Sequence, residues 1–214
     1  MAYFLTFLIH SKLLKRGQPL MNLPRSTKLR FKALFKTSIK RSIKTATLLF
    51  ALIFSQQLMA DSLKIGDVAP GFTLSDQHMK DISLSDYQGQ WVVLYFYPKN
   101  DTPGCTAEAC SFRDNINNLI NQQAVILGVS IDSIESHQTF ATKFKLPFSL
   151  LADADAEVSK RYGALLNLGF MKFAKRHSFI IDPQGVIVKI YRDVDPDKHV
   201  EEVLNELKAL QKVS

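Results

Sequence analysis

The sequence predicts an α/β fold with a mixed central sheet flanked by helices. Three observations predict it. Trp91–Tyr97 (WVVLYFY) and Ala124–Ser130 (AVILGVS) are continuous apolar, β-branched and aromatic runs, the pattern of strands buried on both faces. Each is followed by a stretch with helical periodicity. Finally, Asp182-Pro183-Gln184-Gly185 separates His177–Ile181 from Val186–Tyr191 as a hairpin turn. Parallel strands joined by helices thus meet an antiparallel hairpin.

Charge divides the 214 residues in two. Residues 1–60 hold 11 Lys/Arg and no Asp/Glu. The other 154 residues hold 16 basic and 20 acidic side chains, so the net charge of +7 belongs to the N-terminal segment. A nucleic-acid role read from the overall charge would be an error of averaging. Lys36, Lys40, Arg41 and Lys44 precede an uncharged run of 16 residues, Thr45–Ala60, and then Asp61. This is the order of a secretory signal, with cleavage after Ala60. The run is shorter than the roughly 20 residues that span a bilayer. An uncleaved membrane anchor and a basic organellar presequence are the alternatives, and Met21 is a candidate true start. Residues 61–214 form a single-domain length. The expected location is outside the cytoplasm, in the periplasm, with membrane attachment only through a retained N-terminus.

The elements follow in order. Short strands are expected near Phe72–Leu74 and Ile82–Leu84, with turns at Ser75–Lys80 and Tyr87–Gly89. After the first buried strand, a helix is predicted from Pro103 or Gly104 to about Asn121, with Thr102 able to cap it and Pro103 suited to its first position. Ser133–Lys145 reads as a helix with Ile134, Phe140 and Phe144 on its inner face, ended by Pro147. A strand at Phe148–Leu151 precedes a helix capped by Asp153 or Asp155 and closed by Gly163. Residues 164–175 read as an apolar loop dotted with basic residues. Asp195-Pro196 opens a final amphipathic helix with Val200, Val203, Leu204, Leu207 and Leu210 on one side.

Both cysteines, Cys105 and Cys110, fall at the start of the first long helix. With Thr102 at the N-cap, Cys105 lies in the first turn, facing free backbone N–H groups and the positive end of the helix dipole. Both favour thiolate over thiol, which is the reactive form. The Thr102 hydroxyl is expected within reach of that sulfur, and Pro98 can shield the pocket. An ordinary capped helix with a half-buried cysteine remains the bland alternative. A structural disulfide is disfavoured, because so short a loop removes little unfolded-state entropy.

Pro98-x-x-x-Thr102-x-x-Cys105 resembles the active-site signature of the peroxiredoxins, and the likeness runs from about Leu63 to the end. Cys105-x-x-x-x-Cys110 within one helix is similar to the bacterioferritin-comigratory, or Q-type, subfamily. The resemblance implies a thioredoxin-like fold and a thiol peroxidase acting on hydrogen peroxide and organic hydroperoxides. It implies Cys105 as peroxidatic cysteine, Cys110 as resolving cysteine, and Thr102, Pro98 and Arg176 as their support. It implies no metal or cofactor and a thioredoxin-like protein as reductant. The expected state is a monomer.

Other residues are weighed beside that resemblance. Arg113 is the weaker arginine candidate and reads as a solvated helix residue. Glu108 is assigned equally to solvent or to the thiol chemistry. Phe170, Met171 and Phe173 suit either a closing loop or the core. His78, His137 and His199 show no metal spacing. Copper-binding assembly proteins of the thioredoxin fold use two near cysteines and a distant histidine, and His177 lies close to that location. Their cysteines are four apart, however, and these are five. A thiol–disulfide oxidoreductase would carry C-x-x-C, which this chain lacks.

Overall fold

A computed structural model of the chain describes residues 62–212. The export signal expected in residues 1–60 lies outside the described residues. A five-stranded mixed sheet forms the centre. Its strands are β3 (Trp91–Phe96), β4 (Ala124–Ser130), β5 (Ser149–Ala152), β8 (Ser178–Ile181) and β9 (Ile187–Tyr191), in the order β5-β4-β3-β8-β9. The β3–β4 and β4–β5 pairs are parallel, and the β3–β8 and β8–β9 pairs are antiparallel.

β3 is buried along its whole length, as its continuous apolar run requires. Alternate residues serve opposite cores. Trp91, Val93, Tyr95 and Tyr97 pack with Cys105, Ala109, Phe112, Phe140, Val203 and Leu207. Val92, Leu94 and Phe96 pack with Phe72, Ile82, Val158, Tyr162 and Phe179. The first core receives α1 (Pro103–Asp114), α2 (Ile116–Asn121), α3 (Ile134–Phe144) and α5 (His199–Leu210). The second receives the hairpin of β1 (Thr73–Ser75) and β2 (Asp81–Ser83), and α4 (Glu157–Arg161).

Several details depart from the sequence reading. The helix expected to run to Asn121 is broken at Asn115. There the Asn115 amide group donates to the Ser111 carbonyl at 3.0 Å, competing with the helical ladder. Residues 164–175 are not a loop: β6 (Leu165–Asn167) and β7 (Lys172–Ala174) pair antiparallel as a hairpin. Its tip is exposed, Phe170 to 82%, so that residue neither fills the core nor covers a pocket. The last helix begins at His199, after a turn over Asp195–Lys198.

Two close approaches are built into this frame. A Cβ at Gly128 would lie 2.8 Å from the Tyr95 ring, so only glycine lets that ring cross β4. The N-cap of α4 is Ala156 rather than the expected Asp153 or Asp155, but Asp153, fully buried three residues before it, accepts hydrogen bonds from the free backbone N–H groups of Val158 and Ser159.

Candidate active site

The site forms where β3 ends and α1 begins. The backbone leaves the sheet at Tyr97, turns through Pro98–Asp101 and enters the helix at Pro103. Asp101 adopts a left-handed conformation (φ 57°) in this turn. Neutral side chains fix the turn. Tyr97 Oη donates to Asn100 Oδ1 at 2.7 Å, and Asn100 Nδ2 donates to His137 Nδ1 at 3.0 Å. The opposite nitrogen, His137 Nε2, donates to the Leu151 carbonyl at 3.2 Å. His137 is therefore the neutral Nε2–H tautomer, and burial pushes its proton affinity down from the ordinary histidine value. The Asn100 backbone N–H donates to Asp132 Oδ2 at 2.9 Å, tying the turn to the end of β4.

Cys105 occupies the first turn of α1 and is almost fully buried. Arg176, just before β8, points Nη2 at its sulfur at 3.5 Å. The approach depends on the neighbouring glycine, because a Cβ at Gly104 would lie 3.2 Å from Arg176 Nη2. Arg176 Nη1 donates to Glu108 Oε2 at 2.5 Å. The other carboxylate oxygen, Glu108 Oε1, is 2.8 Å from His199 Nδ1. Glu108 and His199 are both fully buried. Burial disfavours charge on Arg176, but Glu108 and Cys105 together outweigh it and hold the guanidinium above its ordinary value.

The residues expected from the sequence fare differently. Cys105, Glu108 and Arg176 come together, and Glu108 is buried rather than solvated. Cys110 lies five residues along the same helix, partly exposed, and both thiols are free. Thr102 stands at the N-cap position, but its hydroxyl donates to the Lys99 carbonyl at 3.1 Å and makes no hydrogen bond with the Cys105 sulfur. Its oxygen lone pairs stay available as acceptors. Pro98 is half-buried directly beyond β3. Arg113 is only partly solvated: it donates to the Phe144 carbonyl at 2.8 Å and lies beside Cys110. His177 precedes β8, buried, with Nδ1 unpartnered among the described residues, and its proton affinity is pushed down to about 4 by burial and by Arg192 and Lys175. Among the described residues, no cluster of three or more His, Cys, Asp or Glu is placed to hold a metal ion.

His199 was missed as a site residue. A signal existed, because it stands four and eight residues before Val203 and Leu207, on the buried stripe of α5. Glu108 likewise shares a helix face with Cys105 and Phe112.

A buried cysteine at a helix N-terminus, facing a guanidinium, is the arrangement of an enzyme that uses a thiolate nucleophile. The profile of the AhpC/TSA family matches residues 65–190, and the chain belongs to that family, the peroxiredoxins. It is 43% identical over 152 residues to a putative peroxiredoxin bcp of Coxiella burnetii, covering 68% of this chain and 99% of the relative. A solved peroxiredoxin Q from Xylella fastidiosa superposes with a TM-score of 0.66 at 35% identity, covering 71% of this chain and 99% of that one. The bacterioferritin comigratory protein of Xanthomonas campestris, studied for alkyl peroxide reduction activity, gives 0.62 at 32% identity, over 69% of this chain and 96% of that one. The fold is thus the thioredoxin-like peroxiredoxin fold, and the protein is a thiol peroxidase, not one of the copper-carrier or thiol–disulfide oxidoreductase classes weighed from the sequence.

Proposed function

We propose that Cys105 is the peroxidatic cysteine and Cys110 the resolving one. The observation that carries this is Arg176 Nη2 at 3.5 Å from the buried Cys105 sulfur. A guanidinium there stabilises negative charge on the sulfur and, during attack, on the leaving oxygen. The thiolate attacks one peroxide oxygen. An S–O bond forms, the O–O bond breaks, and the sulfur gives up two electrons. The departing oxygen takes a proton and leaves as water or alcohol, and Cys105 becomes a sulfenic acid. Thr102 accepts a hydrogen bond from the incoming peroxide, and Pro98 screens the sulfur from solvent. The Cys110 thiol then attacks the Cys105 sulfur. An S–S bond forms, the S–O bond breaks, and the hydroxyl leaves as water with the Cys110 proton.

The second step demands movement. Residues five apart on a helix are separated by about 7.5 Å along the axis and about 140° around it. A disulfide needs Cα atoms within about 7 Å. The first turns of α1 therefore unwind as the bond closes, and reduction restores them.

Hydrogen peroxide and organic hydroperoxides are both substrates in this reading; the Xanthomonas relative supports the second class. A thioredoxin-like protein returns the electrons. One chain supplies both cysteines, so a monomer suffices. The 11 cations and 16-residue uncharged run of the N-terminal segment support export to the periplasm. N-terminal sequencing of the mature chain from cell fractions tests this; an uncut N-terminus in the cytoplasmic fraction would contradict it. Among the described residues no helix is long and apolar enough to cross a membrane.

The roles are tested by rapid-mixing peroxide consumption. Cys105→Ser is expected to abolish turnover. Cys110→Ser is expected to reach the sulfenic acid and form no intramolecular disulfide. Consumption that survives the loss of Cys105 would end this reading.

A further inference from the structure

Glu108 lies between the two cysteines, three residues after Cys105 and two before Cys110. It sits in the segment that has to leave the helix for the disulfide to form. Two side chains from outside α1 hold it: Arg176 on Oε2 and His199 on Oε1. His199 is itself confined. Phe112 and Tyr191 meet its ring edge-to-face, at 5.5 and 5.4 Å between centroids. Its Nε2 is buried and has no hydrogen-bond partner among the described residues. The imidazole therefore spends its single satisfied nitrogen on Glu108.

Arg176 serves two anions in the reduced site, the Cys105 thiolate and Glu108. Once Cys105 carries a neutral sulfenic acid, the attraction between guanidinium and sulfur falls away. What then keeps the segment helical at this point is Glu108 in its two-sided grip. From this we infer that His199 is a positioning residue for the resolving step: through Glu108 it latches the first turns of α1, and release of that latch sets how fast Cys110 reaches Cys105. The inference rests on the assigned roles of the two cysteines.

The latch also sets a competition. A sulfenic acid waiting in the closed site meets either Cys110 or a second peroxide. The second peroxide adds an oxygen to sulfur, breaks its own O–O bond and leaves as water or alcohol, giving a sulfinic acid. A tighter latch favours that outcome.

The test separates the two steps in the full-length protein. One equivalent of hydrogen peroxide is mixed with wild type, His199→Leu, His199→Asn and Glu108→Gln. Sulfenic acid and disulfide are trapped with time and read by mass. His199→Leu keeps an apolar body and removes the donor; it is expected to speed disulfide formation by about 10- to 150-fold, the factor for one lost hydrogen bond to a charged group. Sulfenic acid formation should change less than about threefold, and the peroxide concentration needed for sulfinic acid should rise with the resolving rate. His199→Asn keeps an N–H near the Nδ1 position and should resolve at close to the wild-type rate. Glu108→Gln weakens the latch from its other end and should resolve faster than wild type, which keeps the test valid if His199→Leu folds poorly. A resolving rate unchanged or slowed in both His199→Leu and Glu108→Gln overturns the latch. So does His199→Asn behaving like His199→Leu, since the retained N–H donor would then make no difference. Absence of any Cys105–Cys110 disulfide in wild type instead overturns the cysteine roles, and the latch with them.

Discussion

Two buried polar clusters flank the Pro98–Cys110 segment, and each contains a histidine. The Tyr97–Asn100–His137 cluster holds its start, and the Glu108–Arg176–His199 cluster holds its helix. The first is uncharged at its centre, and both ring nitrogens of His137 are satisfied. The second contains two full charges and leaves His199 Nε2 unpartnered among the described residues. Aromatic contacts join them, from Tyr97 through Tyr95 and Phe112 to His199. A satisfied neutral network fixes a turn in one place. A charged one responds when the charge on its neighbour, here Cys105, changes. The difference divides the site into an anchor and a switch.

Removing charge from the switch gives the largest effect. Arg176→Met is expected to slow sulfenic acid formation by about 10²–10³-fold, and to lower stability as well, since it leaves Glu108 buried without its cation. Arg176→Lys should recover only part of that loss, because an ammonium cannot face both Cys105 and Glu108 with a planar fork. Stopped-flow peroxide consumption decides it, and a Met variant with near-normal rates would remove Arg176 from the site.

Gly104→Ala is a finer probe. The added methyl would press Arg176 Nη2 at 3.2 Å and Pro196 Cγ at 3.4 Å. Attack should slow about tenfold through misplacement of the guanidinium. Stability should hold or rise, since alanine in a helix gains up to about 1 kcal/mol over glycine. Unfolding in urea alongside the kinetics shows whether the two effects part in this way.

The anchor should answer in the opposite sense. Asn100→Ala removes the Tyr97 acceptor and the His137 donor, leaves the two only their 3.3 Å Oη–Nδ1 contact, and should lower stability by about 1–3 kcal/mol. Its effect on the attack rate should stay within about threefold, since none of these groups touches the sulfur. A larger loss of rate than of stability would merge the two clusters into one.

The smallest effect is in pH. His177 and His137 are both held neutral by burial, His177 down to about 4. An unfolded chain takes up these protons near pH 6.5. Between about 6.5 and 4 the unfolded state thus binds more protons than the folded one, so stability is full above this window and falls as pH drops through it. Urea midpoints at pH 7, 5.5 and 4.5 should decline in that order, and His177→Phe should flatten the decline.

Much of this architecture was legible beforehand. The strands Trp91–Phe96 and Ala124–Ser130 were readable because burial on both faces leaves an unbroken apolar run. Cys105 was readable because Thr102, Pro103 and Gly104 mark a helix start. Arg176 was placed by resemblance, since no local pattern singles out one cation among many. The break at Asn115 was hidden because it depends on one side chain competing for the Ser111 carbonyl. The β6–β7 hairpin was hidden because its strands are only three residues each. Glu108 stayed open between solvent and the thiol chemistry, and His199 was not read as a site residue, for a common reason. A buried charge looks like a surface charge until its partner is known, and the two lie 91 residues apart.

In this reading, the Cys105–Cys110 disulfide opens its own helix. Amide hydrogen exchange, compared between reduced protein and protein whose Cys105–Cys110 disulfide is proven by mass, tests it most directly. Protection is expected to be lost across residues 104–112, with β3 and the Val203–Leu207 part of α5 unchanged. Unaltered protection of that segment in the disulfide form would contradict it.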